Sequence, residues 1–156
     1  MRQTVFAAAA AFALSICAPA ASQATVETNL DQYPAISGTW LYRPFAGGSE
    51  SLFRDGAQAQ RLAIRCNRAT RVVSIVRSAV PAAAPTLSIW TSSMARSLPS
   101  RFDAARNLSA DLNARDPLLD AIAYSRGRFA TAAAGAPMAT IPTSPEAVRV
   151  IEDCRS

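Results

Sequence analysis

Histidine and lysine are both absent from this 156-residue chain, and cysteine occurs only three times. Without histidine, the Ser-His-Asp and Cys-His arrangements of nucleophilic hydrolases cannot form. Three cysteines are too few for a four-ligand zinc site built from cysteines alone. The sequence also lacks the glycine-rich phosphate-binding loops and the Gly-x-Ser-x-Gly motif. These absences predict a protein that has no cofactor, no metal and no catalytic residues, and that is not an enzyme.

Carboxylates are the remaining candidates for catalysis, because a glycosidase needs two of them at a defined separation. Asp103, Asp111, Asp116 and Asp120 are available. Asp116 precedes Pro117 in a typical helix start, where an aspartate caps the helix. Asp120 falls in the first turns of that helix, where the helix dipole favours an anion. We therefore expect capping or solvated roles, and a carboxylate-dependent hydrolase is the lesser alternative.

Long hydrophobic runs are also scarce, and the clearest one lies at the start of the chain. Arg2 precedes an uncharged apolar run at residues 5–16, which is shorter than the roughly 20 residues that span a membrane. Small residues follow and end in Ser22-Gln23-Ala24, which is typical of a signal peptide cleaved after Ala24. Cys17 would allow a lipoprotein that is cleaved in front of this cysteine. Signal peptides of that type usually carry a small residue just before the cysteine, and here that residue is Ile16. We predict a periplasmic or secreted protein, with no transmembrane segment after residues 1–24.

Two cysteines, Cys66 and Cys154, remain after that cleavage. In an exported chain, such a pair is interpreted first as a disulfide, since the compartment is oxidising. Cys66 alternates with the apolar residues of a strand pattern, and Cys154 lies on the apolar face of a helix pattern. Both thiols should therefore point inward, which predicts a Cys66–Cys154 bond. Two unbonded buried thiols are the alternative.

Alternation of apolar and polar residues predicts strands along most of the remaining chain. These strands are at residues 39–43, 50–54, 61–66, 71–77, 86–91, 128–133 and 138–141. Helices are predicted to begin at Asp116-Pro117, with an end at Gly127, and at Ser144-Pro145. Residues 93–115 fit either strands or a short helix. We predict a flexible lead-in at residues 25–37, then one α+β domain at 38–156. That domain is a mostly antiparallel sheet, rolled or sandwiched, with a short internal helix and a C-terminal helix.

All 16 basic residues are arginines, and the formal net charge is +5. Five of them lie on the predicted hairpin of residues 61–77: Arg61, Arg65, Arg68, Arg71 and Arg77. Arginine pairs bidentately with carboxylate and phosphate, so this cluster is a candidate anion-binding surface, for example for lipopolysaccharide. The competing interpretation, which we favour, is a solvated face in a chain without lysine. Nucleic acid is not expected as a partner of an exported domain.

The Leu-Ala-Ile-Arg-Cys segment at residues 62–66 is followed by Phe129, Gly135 and the segment 147–154 that ends in Cys154. In this layout the chain resembles small exported envelope proteins of proteobacteria, in which an Ile-Arg-Cys strand pairs with a cysteine near the C-terminus. It is also similar in layout to the TagO family, periplasmic accessory proteins of type VI secretion. The resemblance covers residues 62–154 in outline and implies a β-rich fold without enzymatic activity. We therefore expect a non-enzymatic binding or accessory protein whose partner is an envelope protein or an anionic polymer.

Overall fold

The computed structural model describes residues 29–156, so the predicted signal peptide and Cys17 lie outside the described residues. Ten strands and two α-helices follow a short 3-10 helix at Leu30–Gln32. The strands are β1 Gly38–Phe45, β2 Gly48–Asp55, β3 Gln60–Asn67, β4 Val72–Arg77, β5 Thr86–Trp90, β6 Ala95–Pro99, β7 Arg101–Phe102, β8 Leu108–Asn113, β9 Arg128–Ala133 and β10 Ala136–Pro142. The helices are α1 Pro117–Ala123 and α2 Pro145–Arg155. None of the helices in residues 29–156 is long and apolar enough to cross a membrane.

The strands form two antiparallel sheets that share one hydrophobic core. Sheet A has the order β1-β2-β3-β4-β8-β7, and sheet B has the order β10-β9-β5-β6. Helix α2 packs on sheet A across β1, β2 and β3. The predicted α+β fold, with a mostly antiparallel sheet, an internal helix and a C-terminal helix, is confirmed.

Side chains of sheet A alternate between two faces, which we call inner and outer. The inner face meets sheet B and α2, and its cross-strand rows are buried, as in Ile64 opposite Ile75. The outer face carries the other residues of the same strands. Ala63 lies there opposite Val76, in a small apolar cluster separate from the main core. This period of two matches the pattern from which the strands were predicted.

Residues 93–115, where the sequence left strand and helix open, form β6, β7 and β8. The chain changes sheets within this region, because β6 is an edge of sheet B and β7 is an edge of sheet A. Ser100 lies between the two strands, and its N–H donates to the Pro85 carbonyl. A change of sheet breaks the apolar alternation in the sequence, which explains why this region fitted neither pattern well.

Both helices begin where their capping residues predict. The Asp116 carboxylate accepts from the N–H of Leu118 at 2.8 Å, and the Ser144 hydroxyl accepts from the N–H of Glu146. The predicted end of α1 at Gly127 was wrong, because the helix ends at Ala123. Gly127 instead has a φ of 72°, in the left-handed region that favours glycine, and forms the turn into β9.

Residues 29–37, the described part of the predicted lead-in, contact sheet B. Leu30 is buried, and the N–H of Ile36 donates to the carbonyl of Thr140 in β10 at 2.8 Å. The Arg128 guanidinium donates to the Tyr33 carbonyl at 3.2 Å. These contacts occupy part of the β10 edge of sheet B.

Candidate functional site

Cys66 and Cys154 form a disulfide that joins β3 to α2, as predicted. Their Cα atoms are 5.4 Å apart, and each residue is 1% exposed. The bond therefore fastens the C-terminal helix to the inner face of sheet A. At this depth, its role is structural.

Two of the five hairpin arginines lie on the outer face and are paired with carboxylates. Arg61 contacts Asp55 at 2.6 Å, and Arg65 contacts Glu50 at 2.8 Å. The Arg61 hydrogen bond lowers the pKa of Asp55; burial opposes this effect, and the N–H of Ala59 adds to it. Each of these two arginines therefore has a carboxylate partner within the protein.

Arg77 lies on the inner face and is only 7% exposed. Its guanidinium donates to the Thr131 hydroxyl at 2.8 Å, to the Thr131 carbonyl at 3.1 Å and to the Pro137 carbonyl at 3.1 Å. Burial, together with the positive charge of Arg61, lowers the pKa of Arg77. Because Thr131 belongs to β9 and Pro137 to β10, this side chain links sheet A to sheet B.

Arg68 and Arg71 lie in the turn between β3 and β4, and both are exposed. Neither forms an ion pair within the described range. The predicted cluster is therefore divided into three environments: the outer face for Arg61 and Arg65, the turn for Arg68 and Arg71, and the interior for Arg77. The spacing of the arginines in the sequence does not become a single surface.

A polar cluster around Asp153 was not predicted. The Tyr42 hydroxyl donates to Asp153 at 2.7 Å, and the Arg149 guanidinium lies over the Tyr42 ring, 4.1 Å from its centre. Burial raises the pKa of Asp153, but the Ser49 and Tyr42 hydroxyls and the charges of Arg68 and Arg149 lower it more. Tyr42 and Asp153 are far apart in sequence, so no local pattern could have revealed this contact.

The four candidate carboxylates each have a partner within the protein. Asp116 caps α1 and pairs with Arg96 at 2.7 Å. The other pairs are Asp111 with Arg101 and Asp120 with Arg155, each at 2.8 Å. Asp103 accepts from the backbone and side chain of Asn107, and these bonds lower its pKa. Each has the capping, pairing or turn-forming contacts expected of a structural residue.

One concave feature of the described residues lies beside the C-terminal helix. An apolar cleft lies between α1, β9 and α2, beside Phe129 and Ile151, and it has no room for a water molecule. Within residues 29–156, no three His, Cys, Asp or Glu side chains come together as metal ligands would.

The β1 edge of sheet A is exposed along most of its length. All eight residues of β1 are exposed except Trp40 and Tyr42, which face inward and are half-buried. Leu41 and Phe45 lie on the outer face, and each is 48% exposed. Pro44, which has no N–H, also lies in this strand, and proline within a strand is typical of an edge. Pro44 was the sequence signal that would have identified this edge.

The outer face continues inward from this edge in two parallel rows. Leu41 is opposite Leu52, which is opposite Ala63, so an apolar row begins at the edge. The next row places Arg43, Glu50 and Arg65 opposite one another in turn, and Glu50 contacts both arginines. Arg43 is the outermost member, and its side chain is 51% exposed.

Comparisons with protein-family models, with curated proteins and with solved structures found no match for this chain. Its function must therefore be inferred from its own geometry. The features that carry such an inference are the β1 edge, with Leu41 and Phe45, and the exposed arginines of the β3–β4 turn.

Proposed function

We propose that this chain is an exported, non-enzymatic binding protein of the cell envelope, which holds a protein partner at the β1 edge of sheet A. The observation that carries the proposal is the exposure of Leu41 and Phe45 on an eight-residue edge strand. The signal-peptide pattern and the Cys66–Cys154 bond support the exported location, because disulfides persist in oxidising compartments.

An open edge strand presents unpaired backbone N–H and C=O groups, and proteins commonly shorten or cover such edges. In the described residues, β1 makes no backbone hydrogen bond on the side that faces away from β2. The other edges differ: β7 has two residues, β6 has five, and β10 is partly covered through Ile36. At eight residues, β1 also exceeds the average strand length of about 5–6 residues. Its length and exposed apolar side chains favour a surface that is covered by a partner.

An anionic envelope polymer such as lipopolysaccharide is the alternative partner. It would bind at the β3–β4 turn, where Arg68 and Arg71 are exposed and form no ion pair within residues 29–156. Two arginines give less attraction than the five of the sequence cluster, since Arg61, Arg65 and Arg77 have partners inside the protein. Binding of this kind would weaken steeply as salt rises.

Affinity capture from an envelope extract tests the proposal. The full chain is expressed so that the cell exports it, with a tag after Ser156, and capture is compared at low and at physiological salt. The test variant carries Leu41→Thr and Phe45→Thr, which keep strand propensity but remove the apolar side chains. The control is Tyr124→Thr, at a tyrosine that is 82% exposed and lies just after α1.

We expect one protein to be retained at both salt concentrations by the wild-type chain and by the Tyr124→Thr variant. The double variant should lose it. Equal retention by the double variant would overturn the assignment to β1. Retention of lipopolysaccharide alone, and only at low salt, would overturn the protein partner in favour of the anionic polymer.

A further inference from the structure

We propose that the partner segment adds to sheet A as an extra strand beside β1, with an acidic residue between two apolar residues at alternate positions. This inference rests on the proposed function and specifies the chemistry of the partner. Three observations carry it: the open backbone edge, the alternation of Leu41, Arg43 and Phe45 on one face, and the charge order of the row that begins at Arg43.

The register of an added strand fixes which side chains meet. Successive side chains of a strand point to opposite faces, and directly opposed residues of neighbouring strands share a face. Leu41, Arg43 and Phe45 all lie on the outer face. A strand paired with β1 therefore places every second side chain beside an apolar, a basic and another apolar residue. Apolar, acidic and apolar side chains complement that order.

The charge order of the outer face supports the acidic position. Across the sheet, Arg43, Glu50 and Arg65 form a row in which a single carboxylate lies between two guanidinium groups. Beyond Arg65 the row continues through Ser74 to Asp111, so its charges alternate across the sheet. At the β1 edge it ends on a positive charge, Arg43, whose side chain is half-exposed. An acidic residue on an added strand would continue the alternation by one step. Cross-strand pairs of opposite charge stabilise a sheet, and like charges oppose it.

Pairing of β1 with β1 of a second copy does not meet these requirements. Strand β1 contains no acidic residue, so pairing of β1 with β1 would place Arg43 beside an apolar, neutral or arginine side chain. Pro44 also sets a limit for any partner, because it offers no N–H to an added strand. We expect backbone hydrogen bonds to an added strand along residues 38–43. Phe45 should contribute only a side-chain contact through its ring.

Synthetic peptides test the inference on the full exported protein. The probe is a seven-residue extended peptide with valine, aspartate and leucine at alternate positions and threonine between them. A matched peptide carries lysine in place of the aspartate. Binding is measured by fluorescence anisotropy, and strand addition by the hydrogen-exchange protection of the amides of residues 38–43. The protein variants are Arg43→Glu and, as a control with the same charge change at the opposite edge, Arg101→Glu.

We expect the aspartate peptide to bind about 5-fold more tightly than the lysine peptide and to protect the β1 amides. In Arg43→Glu the preference should reverse, and in Arg101→Glu it should be kept. Equal binding of both peptides would overturn the acidic position, and binding without amide protection would overturn strand addition. No peptide binding, with the captured protein still lost in the Leu41→Thr/Phe45→Thr variant, would overturn this inference and leave the β1 interface standing. If the wild-type chain forms a dimer in solution and the double variant does not, a second copy would be identified as the occupant instead.

Discussion

Arg65 and Arg77 belong to the same β3–β4 hairpin, yet their surroundings are opposite. Arg65 lies on the outer face with its side chain 48% exposed and a carboxylate, Glu50, at 2.8 Å. Arg77 lies on the inner face, 7% exposed, with carbonyl and hydroxyl oxygens of Thr131 and Pro137 as its partners. Both residues are arginines of one hairpin, and the strand register alone places them on opposite faces of the sheet. Clustering of charge in a sequence is therefore a poor guide to clustering on a sheet surface.

The difference has an energetic consequence. In the Arg65–Glu50 pair, water competes for Arg65, whose side chain is 48% exposed, whereas that of Glu50 is only 12% exposed. Glu50 also contacts Arg43, so loss of Arg65 does not leave it unpaired, and we expect the Arg65–Glu50 pair to stabilise the protein by about 1 kcal/mol or less. A buried guanidinium gives up its hydration, and its hydrogen bonds inside the protein must offset that loss. Removing it would take a donor from the hydroxyl and carbonyl oxygens of Thr131, which is fully buried. Arg77 should thus be sensitive to substitution, and Arg65 tolerant.

The largest expected effect is at the disulfide on the inner face. Replacing both cysteines, Cys66→Ala with Cys154→Ala, removes a cross-link between residues 88 positions apart. On the chain-entropy model, this lowers the free energy of unfolding by about 4–5 kcal/mol. Urea denaturation followed by circular dichroism measures the change. A thiol reductant supplies two electrons and two protons to the bond, so the intact mass of the wild-type protein should rise by that of two hydrogen atoms, and an unchanged mass would contradict the bond.

The same substitution, made at Arg77 and at Arg65, tests the difference between the two faces. Arg77→Met removes the donor to the Thr131 and Pro137 oxygens, and we expect a loss of about 1–3 kcal/mol in the free energy of unfolding. Arg65→Met, with the same change in charge and shape on the outer face, should cost less than about 1 kcal/mol. Both variants are measured by the same urea titration. Equal losses at the two positions would contradict the distinction between the faces.

Local patterns predicted the parts of the fold that depend on local chemistry. The hairpin of residues 61–77 followed from alternation, and the start of α1 followed from Asp116-Pro117. The Cys66–Cys154 bond followed from two independent periodicities. The change of sheet at Ser100 was not predicted, because it depends on which sheet each flanking strand joins.

The candidate site was less accessible to prediction than the fold. Whether Arg65 and Arg77 share a face depends on cross-strand register, which the sequence does not state. The contact between Tyr42 and Asp153 joins the first strand to the last helix. Only the β1 edge had a local signal, Pro44. Recognition surfaces of this kind arise where distant segments meet, and they require the three-dimensional arrangement.

The smallest expected effect is on the pH dependence of stability. It arises at Asp153 of α2, which contacts the inner-face residue Tyr42. Burial raises the pKa of Asp153, but the hydroxyls of Ser49 and Tyr42 and the charges of nearby arginines outweigh it, so the pKa in the folded protein lies below the ordinary value of 3.8. The unfolded chain therefore binds more protons in this range. The stabilisation is complete above about pH 3.8 and is lost as the pH falls through the folded pKa.

Asp153→Asn should therefore flatten the loss of unfolding free energy between about pH 4 and pH 2. The expected effect is below about 1 kcal/mol, since water screens this partly buried group. Tyr42→Phe, which keeps the ring and removes the donor, should change the slope in the same direction. Urea titrations at a series of pH values measure both slopes. If both variants lose unfolding free energy with falling pH as steeply as the wild type, the Tyr42–Asp153 contact does not affect the protonation of Asp153. The acid sensitivity would then come from Asp55, Asp103 and Glu146, whose pKa values are also lowered.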